Sequence, residues 1–325
     1  MTTDSGNSND ITNTDVPLTI ERRKPDSGAP VPNQDVSELR PIEGSNKVTL
    51  YTAQSQIRYP LKLIRNIFAD LWAGRDLAWR LFVRNIRGLY RQTILGLFWA
   101  FLPPIANTAF WIFLKQANVF DMGDVQVNST VYILAGMILW QAFIDAYQMP
   151  LNMLNKNRNM ISKLNFPRES LLLVGIGEVL FDLAIRMLLL IPAFLVFGVA
   201  FHPTIVLAPL AIIGLVLLGT ALGLLIMPFG SLYQDVGRFI GIMLPFWMIL
   251  TPTVYAPFAK FPGSLLNWVN PASPLLLVSR DWLLLGSTQY WYVGLIYGAL
   301  VLPLLLLGLI VYRISIPVLI ERMSA

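Results

Sequence analysis

Six stretches of the chain, 94–114, 131–150, 171–200, 204–229, 239–258 and 291–312, are long and apolar with few charges. A helix needs about 20 apolar residues to cross the hydrocarbon core of a bilayer, so the pattern predicts six transmembrane helices and an all-α membrane protein. Between the fifth and sixth runs, 264–269 and 274–285 are apolar but too short to cross, and Pro262, Pro271 and Pro274 interrupt them. They predict a re-entrant pair of short helices that enter one leaflet and return, since non-helical backbone at that depth must be buried in protein or face water.

Ahead of the first run the period changes. Arg80, Arg84, Arg87 and Arg91 recur at helical spacing, and Trp79, Val83, Ile86 and Tyr90 repeat that spacing one position earlier. This predicts an amphipathic helix within 58–91, lying in the membrane interface with Arg on lipid phosphates and the aromatics at headgroup depth. Packing on a soluble partner would use the same faces. Residues 1–57 are rich in Ser, Thr, Asn, Asp and Pro and nearly free of aromatics. They bury too little apolar surface to offset their ordering entropy and are expected to be a disordered cytoplasmic tail. The chain thus divides into that tail, the interface-helix region 58–91 and a six-helix transmembrane domain, 92–325.

Composition supports the bilayer: 55% of residues are hydrophobic and 13% charged, against roughly 25% charged in soluble domains. The net charge of +5 does not point to nucleic acid, because the basic residues gather between apolar runs, where they set orientation. Arg75, Arg80, Arg84, Arg87 and Arg91 precede the first span, Lys156, Arg158, Lys163 and Arg168 follow the second, Arg238 follows the fourth, and Arg313 and Arg322 follow the sixth. Only Lys115, Lys260 and Arg280 fall on the opposite side. Both termini are therefore expected in the cytoplasm. The first apolar run comes too late for a cleaved signal peptide, so the first span should act as its own insertion signal.

With no Cys and a single loop histidine, His202 beside Pro203, the chain offers no disulfide, thiolate or metal chemistry and no Ser-His-Asp set. A phosphate-cradling G-x-x-x-x-G-K-[ST] loop is also missing from the sequence. No catalysis by this chain and no bound cofactor is expected.

Three constellations remain. Glu178, Asp182 and Arg186 stand four residues apart in the third run and share a helix face. Charges at membrane depth face the protein interior and pair. Asp182 and Arg186 have the order that favours an i, i+4 ion pair, and Asp145 in the second run is an extra partner. The stripe reads as an anchor between helices ahead of a polar track or proton relay. Aromatics crowd the first and fifth runs, with Phe98, Trp99, Trp111, Phe246, Trp247 and Tyr255 as candidates to line a conduit, since sugar rings stack on aromatic faces; packing and interfacial belts are the commoner use of such residues. Residues 151–167 predict a short helix with Leu154, Ile161 and Leu164 as an exposed apolar stripe and Lys156, Arg158 and Lys163 around it, suited to docking in a groove of a soluble partner.

Four segments resemble the permease subunits of type-2 ATP-binding-cassette exporters, in the polysaccharide (O-antigen) and teichoic-acid branch. Tyr90-Arg91-Gln92-Thr93-Ile94-Leu95-Gly96-Leu97-Phe98-Trp99, followed by Pro103, is similar to that family's Y-R-x-S-x-L-G-x-x-W. Ile161-Ser162-Lys163-Leu164-Asn165-Phe166-Pro167-Arg168-Glu169 is similar to I-x-K-x-x-F-P-R-E. Tyr233-Gln234-Asp235-Val236 and Leu250-Thr251-Pro252-Thr253-Val254-Tyr255 resemble Y-R-D-[IV] and L-T-P-x-x-Y, with Gln234 where the family usually has Arg. Val269-Asn270-Pro271-Ala272-Ser273-Pro274, with Arg280, resembles the N-P-x-x-P segment. The order of these segments over residues 65–312 is the specific signal, and the tail has no counterpart.

The resemblance implies a homodimer of permeases in a bacterial cytoplasmic membrane, with two copies of a separate ATPase that bind ATP and Mg, exporting a lipid-linked glycan. It places the helix before span one and the loop 151–167 against the ATPase, spans one and five along the conduit, and a gate at Asn270, Pro271, Pro274 and Arg280. An exporter of small amphiphiles, an ion-coupled carrier using Glu178, Asp182 and Arg186, and a non-transporting scaffold are the alternatives. Inverted internal repeats, the mark of many carriers, are not visible.

Overall fold

The computed structural model describes residues 60–91, 96, 98–163, 168–258, 260–261, 263–286 and 291–324. The tail, 1–57, lies outside them. No strand occurs among the described residues.

The interface region is two helices, α1 (Pro60–Ala73) and α2 (Arg75–Arg91), joined at Gly74. A Cβ on Gly74 would run into Ser170 Oγ, so the junction sits directly on the segment 169–170. Ala78 and Leu81 of α2 are buried and Phe82 packs edge-on to Phe181, whereas Trp79 is left outside with Arg80, Arg84 and Arg87. The face that meets the bundle is thus Ala78–Leu81–Phe82, beside the Trp79–Val83–Ile86 face expected in the membrane interface.

Then come α3 (Phe98–Gln116), α4 (Ser129–Lys156), the six-residue α5 (Arg158–Lys163), α6 (Glu169–Met187), α7 (Leu190–Phe197), a 3₁₀ turn at Pro203–Val206, α8 (Ala208–Leu232), α9 (Gln234–Leu250), α10 (Gly263–Val269), α11 (Ala272–Leu284) and α12 (Trp291–Ser324). Four segments are long and apolar enough to span a membrane: Ser129–Lys156, Glu169–Phe197, Ala208–Leu232 and Trp291–Leu319. The apolar runs expected as the first and fifth spans fall on α3 and α9. The latter, at 17 residues, ends at Leu250 and not at 258, because Thr251 turns to extended backbone.

α4 and α8 form the centre, running parallel. Gly219 and Gly223 of α8 meet the backbone of α4 at Phe143 and Tyr147: a Cβ on Gly219 would stand 2.7 Å from the Phe143 carbonyl, and one on Gly223 would overlap the Tyr147 carbonyl. This is a small-xxx-small contact, the usual way lipid-embedded helices gain van der Waals packing. α6 packs antiparallel on α4, with Gly175 against Met149. α11 and α12 close the other side of α8. α3 and α9 are peripheral: α3 buries only Pro104 and Thr108, and α9 only Leu244. Their outer faces present Phe98, Leu102, Ile105, Phe113, Phe239, Ile242, Phe246 and Ile249. So continuous an apolar exterior is unusual for a water-soluble chain and is what hydrocarbon solvates.

Candidate functional site

At the Ser129 end of α4, the third and fourth resembling segments come together. Arg280 of α11 is 1% exposed. Its Nη1 donates to the carbonyls of Pro252 (2.8 Å) and Thr253 (3.0 Å), and its guanidinium lies 3.8 Å over the ring of Tyr132 on α4. A cation just past the last turn of α9 complements the negative end of that helix. Asn270 crosses the same gap: its Nδ2 donates to Thr251 Oγ1 (2.7 Å), while its Oδ1 accepts from Trp247 Nε1 (2.9 Å) and the Ala272 amide (3.1 Å). Tyr132 donates to the Tyr255 carbonyl and Tyr255 to that of Ile249. The run 250–255 is thereby clamped between α4 and the 270–280 segment, with Pro271 at the head of α11 and Pro274 buried in its first turn.

The aromatic candidates fall into two sets. Phe98, Trp99 and Phe246 are exposed on α3 and α9. Trp247 and Tyr255 point inward: Trp247 packs edge-on to Trp140, Phe143 and Tyr147, and Tyr255 is buried. Trp111 is half-buried against Phe120.

Within the bundle, Arg186 pairs with Asp145 on the neighbouring helix, and Gln141 donates to the other oxygen of Asp145 (2.8 Å). The i, i+4 pair with Asp182 does not form. Turning to Asp145 neutralises a charge that α4 carries at membrane depth, which a pair inside α6 would leave alone. Glu178 faces a different set: it accepts from Asn85 of α2 (2.7 Å) and lies 3.6 Å from Lys156. The three charges of α6 thus do not act as one stripe.

The Lys156 end departs most from expectation. The predicted helix 151–167 begins as the last turns of α4, which continues through Pro150 because Met149, Met153 and Leu154 are buried around it. Asn157 ends it, its Nδ2 donating to the Met153 carbonyl (2.9 Å). Leu154 (3% exposed) and Ile161 (4%) belong to this chain's own core, so they do not form an exposed stripe. An Asp at position 161 would bury a carboxylate in the fold itself. Lys156 and Arg158 are exposed. Lys163 closes α5, and Leu164 lies outside the described residues. On α2, Arg80, Arg84 and Arg87 rim an open concavity with Trp79 and Val83; Arg91 ends the helix.

Nearby, Arg313 of α12 binds Asp70 of α1 (2.7 Å) and Glu169 of α6 (3.1 Å), and Tyr312 donates to the Arg168 carbonyl (3.0 Å). This buried junction joins the interface helices, the start of α6 and the last helix.

Residues 76–279 match the ABC-2 type transporter family. The chain belongs to that family. Among its relatives is the O-antigen export system permease protein RfbA of Klebsiella pneumoniae, 25% identical over 225 residues, which span 66% of this chain and 82% of the relative. A second protein of that name from the same organism is 23% identical over 225 residues, with the same two shares. A third, from Myxococcus xanthus, is 24% identical over 199 residues, 60% of this chain and 72% of the relative. This ABC-2 chain is a transporter permease and a multi-pass membrane protein.

Two features of the ABC-2 chain were missed from sequence. Along the sequence Arg313 reads only as an orienting charge, because nothing local marks its carboxylates, Asp70 and Glu169, as partners. The Gly219-x-x-x-Gly223 spacing was legible and is the signal that would have placed α8 against α4.

Proposed function

We propose that this chain is the membrane-spanning half of an ATP-driven exporter that moves lipid-linked polysaccharide, or a similar glycan polymer, across a bacterial cytoplasmic membrane. The observation that carries this reading is the alignment with O-antigen export permeases over 82% of a relative's length. The ordered segments at 90–99, 161–169, 233–236, 250–255 and 269–274 add to it. In this reading two copies form the translocation unit and two separate ATPase subunits supply the work, holding ATP and Mg. Six helices cross the bilayer, with both termini inside; α1 and α2 lie in the inner interface, their exposed Phe68, Trp72 and Trp79 set in lipid among Arg65, Arg75 and Arg80. α10 and α11 form the re-entrant pair at the outer end, where the Arg280 clamp holds the gate. The ATPase grips exposed groups at the Lys156 end, such as Arg158, while Leu154 and Ile161 stiffen that surface from within.

Deletion of the gene should remove the surface glycan and leave lipid-linked glycan inside the cell, and the plasmid-borne chain should restore export. An unchanged surface glycan after deletion, with altered resistance to small amphiphiles, would shift the substrate to that class.

A further inference from the structure

Two polar residues of one cleft, Gln148 and Asn152, take part in none of the contacts described so far. Between the second half of α4, the last turns of α8 and the first turns of α9 lies a cavity of about 190 Å³. Tyr147, Gln148 and Asn152 line it from α4, Gly223 from α8, and Gly237 and Ile240 from α9. Gln148 is half-buried, and neither its amide nor that of Asn152 has a hydrogen-bond partner among the described residues. The Tyr147 ring is held in place by Phe143, stacked at 6.4 Å, and by Trp247, edge-on at 6.1 Å. No Asp, Glu, Lys, Arg or His among the described residues lines the cavity. On the α9 wall, a Cβ on Gly237 would meet nothing within 4 Å.

These properties select a ligand class. Carboxamides and a phenol both donate and accept, as sugar hydroxyls do, and uncharged walls offer nothing to an anion. An engineered cavity of about 150 Å³ takes up one benzene ring, so this space suits one six-membered ring and not a chain. The cleft lies in the half of the bundle nearer Lys156, the side on which a glycan made in the cytoplasm would arrive.

We infer that this cleft binds one neutral, hydroxyl-rich ring, a single saccharide unit, through the Gln148 and Asn152 amides beside Tyr147. The inference rests on the glycan-export reading and adds a site to it. The full chain in lipid nanodiscs, probed by saturation-transfer NMR with methyl glucoside, methyl galactoside, methyl mannoside and inorganic phosphate, tests the site. At least one glycoside should receive saturation, and phosphate none. Joint Gln148→Leu and Asn152→Leu should weaken glycoside binding about ten-fold or more, as loss of two hydrogen bonds implies. Gly237→Leu, which adds a bulky side chain to the α9 wall, should abolish it, with elution like that of the unaltered chain.

In cells lacking their own copy, both variants should fail to restore surface glycan. Binding of phosphate with no glycoside, or glycoside binding unchanged in both variants, overturns the site. Deletion that costs the surface glycan, followed by full rescue with both variants, overturns the site but leaves the export reading standing. A surface glycan that survives deletion overturns the export reading, and the inference with it.

Discussion

At the residue scale, Arg280 shows how one side chain can close a junction. Its guanidinium is fully desolvated, so its hydrogen bonds to the Pro252 and Thr253 carbonyls and its place over Tyr132 offset the cost of burying the charge. Arg280→Met would orphan two buried carbonyls, at about 1–3 kcal/mol each, and should lower the melting temperature of the purified chain. Arg280→Lys keeps the charge but loses the fork and the ring contact, so its melting temperature should fall between the two. A melting temperature for Arg280→Met equal to that of the unaltered chain would show that the clamp holds nothing. The sequence marked Arg280 as a member of a resembling segment; its three partners lie on segments 27 or more residues away.

At the scale of elements, two kinds of contact hold the helices. Glycines set the distance between α4 and α8, and two predictions separate close approach from open space. Gly223→Ala should destabilise by about 1–3 kcal/mol, the usual cost of overpacking. Gly237→Ala, with nothing near its Cβ, should stabilise by about 0.5–1 kcal/mol, because glycine in a helix interior forfeits that much to entropy. Unfolding in mixed micelles reads both. Between α4 and α6 the contact is ionic. Arg186→Gln alone strands Asp145 and should cost about 3 kcal/mol or more, whereas adding Asp145→Asn should recover most of it. If restoring neutrality at Asp182 rescues the fold and Asp145→Asn does not, the pairing assigned to Arg186 is wrong. Helical period had placed Glu178, Asp182 and Arg186 on one face, and they do lie there, but a face is wide enough to meet several neighbours. Glu178 reaches α2 and Lys156, and Arg186 reaches α4. The apolar positions Leu154 and Ile161 were likewise legible as a periodic pair; whether such a pair faces a partner protein or its own core depends on what packs beside it.

For the whole molecule, orientation is the testable property. The basic residues gathered near α2, α5 and the end of α12 are expected inside, and the α3–α4 loop outside. Since the chain has no Cys, introduced cysteines report on a clean background. Asp124→Cys and Asn155→Cys replace exposed residues at opposite ends of the α4 region. An impermeant thiol reagent added to intact cells should label position 124 and leave position 155 unmodified. The reverse pattern would invert the assigned orientation.

The sequence by itself determined the membrane class, the all-helical content, the places of the apolar runs and where the basic residues gather between them. Each of these follows from partition between water and hydrocarbon, which acts on local composition and can be read a window at a time. It also carried the ordered segments shared with the transporter family. Only the tertiary structure decided which face of α2 meets the bundle, that α4 absorbs the start of the expected loop helix, and which charges pair. Asn85 with Glu178, Tyr132 with Tyr255 and Asp145 with Arg186 are 93, 123 and 41 residues apart. Such pairings depend on how helices are laid side by side and how closely glycines let them approach, and no period along a single helix encodes that.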